Sequence, residues 1–158
     1  MSFKDPFIIR NLTYGIEDSL ISTAGVVVGV ASAGFSIPAI LATSSILILV
    51  EASSMAFGAF LSDANFLKAS HARYTTLQVL TYAAVMFLSY TLAGLLTILP
   101  FIFKLEKAVQ YSVALAMAAL FTLIVVSQRD IVKAILLTAI GGAIMLASIY
   151  AGRAFKSP

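Results

Sequence analysis

Glu51 stands midway along an apolar stretch that begins near Pro38, and Met55 follows one helical turn later on the same face. A carboxylate at the centre of a bilayer costs roughly 2.5–3.5 kcal/mol or more, so an acid kept there points first to ion movement. A thioether one turn away adds a soft ligand, which favours a first-row transition metal over Mg²⁺ or Ca²⁺. Glu17 and Asp18 open the preceding apolar stretch and bring further carboxylates to the same region of the chain.

Plainer readings exist for most of these residues. Met55 alone fits core filling, Asp18 beside Ser19 fits a helix N-cap at the water interface, and Glu17 fits a solvated interfacial acid. Glu51 resists such a reading, because it lies about 18 Å along its stretch and no Lys or Arg sits at comparable depth. Either it is protonated and hydrogen-bonded to a residue such as Ser89 or Tyr90, or it meets a cation from solution. His71, in a polar connection, fits an incidental exposed residue, and Tyr14, Tyr74 and Tyr150 fit interfacial anchors near helix ends. There is no glycine-rich phosphate loop, nucleophile elbow or His/Cys cluster at ligand spacing. The expectation is a non-enzyme with no catalytic residues and no resident cofactor.

The elements that must hold these residues are membrane spans. The chain has 158 residues, 61% of them apolar and 11% charged, with a mean hydropathy of +1.03, too apolar for a soluble single-core domain. The absence of Cys excludes disulfides and thiolate metal sites. At about 20 residues per span, five helices are expected: Asp18 to Phe35, Pro38 to Leu61, Leu77 to Phe103, Val109 to Ser127 and Ile131 to Gly152. They form a single transmembrane domain over residues 1–158, an all-α integral membrane protein. The opening residues, with Lys4, Asp5, Pro6 and Arg10, do not resemble a removable signal peptide. With the N-terminus in the cytoplasm, Lys4, Arg10, Lys68, Arg73, Arg129 and Lys133 lie inside, against Lys104, Lys107, Arg153 and Lys156 outside. That small excess supports this orientation. The net charge of +3 therefore reflects membrane orientation rather than nucleic-acid binding. Gly25, Gly29 and Ala33 recur every four positions and mark a close helix interface, which fits plain packing within the bundle and is also expected to join two copies of the chain. Ala52, Ala56 and Ala59 give the second helix a similar face, as Gly141, Gly142 and Ala147 do in the fifth.

The segment GIEDSLISTAGVVVGVASAG resembles the opening helix of the vacuolar iron transporter family, and EASSMAFGAFLS resembles that family's second-helix motif built around Ser-Met and Gly. AGLLTILPFIF is similar to its third helix closing on Leu-Pro, and IGGAIMLASIYAGRAF to its last helix with paired Gly and a terminal Gly-Arg. The order and spacing of the four segments, across residues 10–155, carry the resemblance. It implies a homodimer of five-helix protomers with the first helices lining a pathway at the two-fold axis. It also implies export of Fe²⁺, and often Mn²⁺, from the cytoplasm in exchange for protons, in the cytoplasmic membrane or an organelle membrane such as the vacuole. Asp18 and Met55 are implied pathway ligands, with Ser54 beside the Met. Two positions depart from the pattern: Ser19 replaces the usual Gly after the first acid, and Ala59 replaces a Glu that often follows the second-helix Gly. Glu51 is positioned to compensate for that missing Glu. The family's cytoplasmic metal-collecting extension between helices two and three is absent, since Asp63 to Tyr74 is short and holds a single acid.

A dimer also supplies a mechanism on physical grounds. Two-fold symmetry presents each lining residue twice, and four carboxylates in a low-dielectric corridor cannot all ionise unpaired. Protons then occupy the site until a divalent ion displaces them, which is the minimum for metal/proton antiport. Two alternatives remain open: a small structural or regulatory membrane subunit in which Glu51 pins a helix, and a proton-coupled organic-cation exporter. The latter would lean on aromatics, of which the second helix offers only Phe57 and Phe60 near Glu51.

Overall fold

The computed structural model describes residues 5–156, which form five helices: α1 (Pro6–Ser32), α2 (Ile37–Ala69), α3 (Thr76–Ile102), α4 (Ala108–Gln128) and α5 (Ile131–Ala154). All five are long and apolar enough to cross a membrane. Lys4, counted above on the inner side, lies outside the described residues.

The largest departure from the expected boundaries is at the start of α1, which begins at Pro6 rather than near Asp18. Asp5, not Asp18, is the N-cap: its carboxylate accepts from the Phe7 amide at 2.9 Å, and Pro6 occupies the first turn. Asp18 is thus internal to the helix. The polar residues of the first turns, which lower the hydropathy there, are satisfied by partners on other helices. α2 also runs on past Leu61 to Ala69, so Asp63 belongs to a helix and the connection to α3 shrinks to residues 70–75. At 1.5 Å per residue the 33 residues of α2 extend about 50 Å, well beyond a hydrocarbon core of about 30 Å. α3 then starts on a capping box in which Thr75 and Gln78 satisfy each other's backbone amides.

α1 is the central helix and touches each of the other four, whereas α2 packs only on α1 and α3. Leu20, Ala24 and Val28 of α1 share a core with Ala116, Leu120 and Ile124 of α4 and Met145 of α5. The outer faces of α4 and α5 carry exposed Val126, Ile131, Val132, Ile135 and Leu146, apolar side chains suited to lipid.

The glycine stripe of α1 is used inside the protomer, which corrects the expectation that it joins two copies. A Cβ on Gly25 would lie 3.3 Å from Ser148 Oγ, and one on Gly29 3.1 Å from the Ser148 carbonyl oxygen. One on Gly152 would collide with the Gly29 carbonyl oxygen. The small residues therefore seat α5 against α1.

Candidate functional site

α1 and α2 run antiparallel, and residues at helical spacing on each face the other. On α1 these are Asn11, Tyr14 and Asp18; on α2 they are Glu51, Met55, Ala59 and Ser62. Asp18 and Glu51, both half-buried, are close enough for their charges to act on one another. Next to them, a cavity of ≈ 350 Å³ is lined by Arg10, Asn11, Tyr14, Ser54, Met55, Gly58, Ala59, Ser62 and Met86. The two helices thus enclose a groove that carries acids, hydroxyls and thioethers along one line.

α3 forms its floor. Met86, only 3% exposed, turns its sulfur toward α1, where a Cβ on Gly15 would come within 3.2 Å of it. Only Gly at position 15 leaves that approach open. Gly94 does the same higher up, where an added Cβ would meet Ile48 at 2.8 Å and Ser19 Oγ at 3.0 Å. Small residues on α1 and α3 thus draw α1, α2 and α3 together beside the acids. Tyr90, fully buried, bonds with Ser22 Oγ at 2.8 Å and accepts from Thr23 Oγ1 at 3.5 Å, and it lies within the electrostatic reach of both Asp18 and Glu51. Ser89 is committed to the Met86 and Asn11 carbonyls. Neither residue is the hydrogen-bond partner of Glu51 that one sequence reading supplied.

The mouth of the groove holds a cluster that the sequence did not reveal. Asp63 is fully buried; one carboxylate oxygen pairs with the Arg10 guanidinium and the other accepts from the Asn11 amide at 2.9 Å. Arg10 also lies over the Phe7 ring, 5.4 Å from its centroid. Phe7 in turn stacks on Tyr82 at 5.1 Å and meets Phe66 edge-on at 5.8 Å.

The candidate ligands do not all converge. Asp18, Glu51, Met55 and Ser54 border the groove. Glu17 points the other way, into a cavity of ≈ 200 Å³ that it shares with Leu120 and Ile124 of α4 and Lys133 and Leu137 of α5. Ser19, the departure after the first acid, faces α3 rather than the groove and is fully buried. Among the described residues, no three His, Cys, Asp or Glu side chains come together as a metal-binding group.

A family model describes part of this arrangement. The VIT family model matches residues 9–77, which take in nearly all of α1, the whole of α2 and the first residues of α3. No curated protein and no solved structure matches the chain. The VIT family is a transporter family, so the match together with five spanning helices points to a multi-pass integral membrane protein and to transport of metal ions across a membrane. The match rests on the two helices that hold Asp18, Glu51 and Met55, and makes residues 9–77 similar to the VIT family.

Proposed function

We propose that the protein exports a divalent transition metal, Fe²⁺ or Mn²⁺, from the cytoplasm in exchange for protons, as a homodimer whose two α1–α2 grooves meet at the two-fold axis. The observation that carries this reading is the pair Asp18 on α1 and Glu51 on α2, within reach of each other's charge, with Met55 one turn from Glu51 and lining the adjoining cavity. Two carboxylates and a thioether at mid-span suit a borderline first-row cation better than Mg²⁺, which prefers oxygen alone. Like charges repel in a low-dielectric corridor, so a divalent ion and protons compete for the site between the carboxylates. Glu17, on the far side of α1, stands outside this set.

What α2 leaves uncovered supports a dimer. Ser54, Gly58 and Ser62 are exposed at four-residue spacing on a spanning helix, a small and polar line that packs better against a second helix than against lipid. A second copy placed there doubles the ligands, to four carboxylates and two Met55 thioethers about one axis. It would also complete a site that one protomer leaves short of three acids.

Purified protein in proteoliposomes under an imposed pH gradient tests the proposal. Mn²⁺ should accumulate on the acidic side, and collapsing the gradient should stop it. Flux no greater than in empty vesicles refutes transport. Gly58→Leu tests the interface: an added Cβ there meets nothing within 4 Å in the protomer, so the fold should persist while the dimer dissociates in detergent.

A further inference from the structure

We infer that Asp63 is the cation-entry site of the groove, with the Arg10 guanidinium standing where an entering divalent ion would bind and swinging aside to admit it. This inference rests on the proposed metal transport and adds to it a site at the mouth.

The geometry has three parts. Asp63 is fully buried on α2, about 18 Å along the helix from Glu51 at 1.5 Å per residue, and it bonds to Arg10 and Asn11, which line the cavity of the groove. With Glu51 at the bilayer centre, that distance sets Asp63 at the rim of the hydrocarbon core, where an ion sheds its water. Arg10, by contrast, keeps a side chain 50% exposed although its partner is 0% exposed. The pair is therefore closed on the protein side and open on the other.

Arg10 also has somewhere to go. Its side chain borders a cavity of ≈ 220 Å³ shared with Pro6, Phe7 and Phe66, and a second of ≈ 460 Å³ toward Thr13 and Glu17. The Phe7 ring holds the guanidinium at 5.4 Å while it pairs with Asp63, and that cation–π contact can keep it when the pair opens. A dication exchanged for the guanidinium keeps the buried carboxylate compensated, which an empty mouth would not. Asn11 presents its amide nitrogen to Asp63 and its oxygen to Arg10 at 3.4 Å, and Ser62, Met55 and Met86 line the cavity that Arg10 and Asn11 border.

A purely structural ion pair makes different predictions. Mn²⁺ binding to the detergent-solubilised full chain, measured by equilibrium dialysis, needs no transport and so separates this inference from the export reading. Arg10→Gln should add one Mn²⁺ site per protomer, or tighten an existing one about tenfold, and Arg10→Gln with Asp63→Asn should abolish that gain. In proteoliposomes, Asp63→Asn should raise the KM for Mn²⁺ about tenfold, with the loss falling on KM rather than on maximal rate. A folded, monodisperse Arg10→Gln that binds no more Mn²⁺ than wild type overturns the inference. If Arg10→Gln does not fold, the Asp63→Asn kinetics decide, and an unchanged KM overturns it. If wild type carries no metal while Arg10→Gln gains the Mn²⁺ site, export fails, Asp63 remains as a cation-binding site, and its role in entry is overturned.

Discussion

Replacing Glu51 with Gln keeps the length, shape and hydrogen-bonding capacity of a half-buried side chain and removes only its charge. The groove beside it is bounded by protein and open along α2, so an effective dielectric constant of about 20 is appropriate. A unit charge about 4 Å from the carboxylate then gains about 4 kcal/mol. A dication gains more, and the excess offsets part of the cost of stripping its water. Taking about 4 kcal/mol as the net loss, metal binding should weaken roughly a thousandfold, since each 1.4 kcal/mol is a factor of ten. At micromolar Mn²⁺ the variant should show no flux above empty vesicles under the pH gradient that drives wild type. Size-exclusion chromatography and helical circular dichroism should match wild type, because Glu51 forms neither the Arg10 ion pair nor the Tyr90 hydrogen bonds. A folded Glu51→Gln protein that carries Mn²⁺ at the wild-type rate would refute the placing of the metal between α1 and α2.

Other variants separate the roles of neighbouring residues. Asp18→Asn should reduce Mn²⁺ flux far more than Glu17→Gln, because Glu17 faces α4 and α5; equal losses in the same vesicles would contradict the groove. Met55→Leu and Met86→Leu conserve volume, cost less than about 1.5 kcal/mol in packing, and should shift competition assays away from Cd²⁺ and toward Mn²⁺. No change in selectivity in either variant would leave the sulfurs as packing atoms. Gly152→Val should lower the melting temperature in detergent by forcing α5 off Gly29, a strain of about 1–3 kcal/mol, and an unchanged melting temperature would count against that seam.

Five spans were legible because each apolar run is long enough to be unambiguous and is bounded by charge or Pro. The opening turns of α1 were not, since Arg10 and Asn11 read as interfacial until Asp63 is seen beside them, 53 and 52 positions away. Asp63 was hidden for the converse reason: a charged residue after Leu61 looks like a loop, and only the length of α2 puts it in a helix. Met86 carried no signal, because one Met in an apolar helix is indistinguishable from core filling without the partner helix. The Gly25 and Gly29 stripe announced a close contact correctly, but spacing within one helix cannot name which neighbour fills it. Asp18 and Glu51 stood out because acids in spans are rare, and Met55 drew notice through its place one turn from Glu51.

The contact between Arg10 and Asp63 also bears on how the chain is built. Asn11 ends up 1% exposed and depends on a carboxylate 52 positions later. When α1 first leaves the ribosome, Asn11 and Arg10 at its rim end lack their protein partner. At about 5–20 residues per second, the wait for Asp63 is about 3–10 s. During that interval α1 is a poorly anchored segment that can tilt or slip, and it settles only once α2 has arrived to complete a helical pair. The glycine face then waits longer still, for Ser148 and Gly152. Biogenesis is therefore paced by the last helix, and truncations before α5 should leave α1 inserted but extractable, a substrate for membrane quality control.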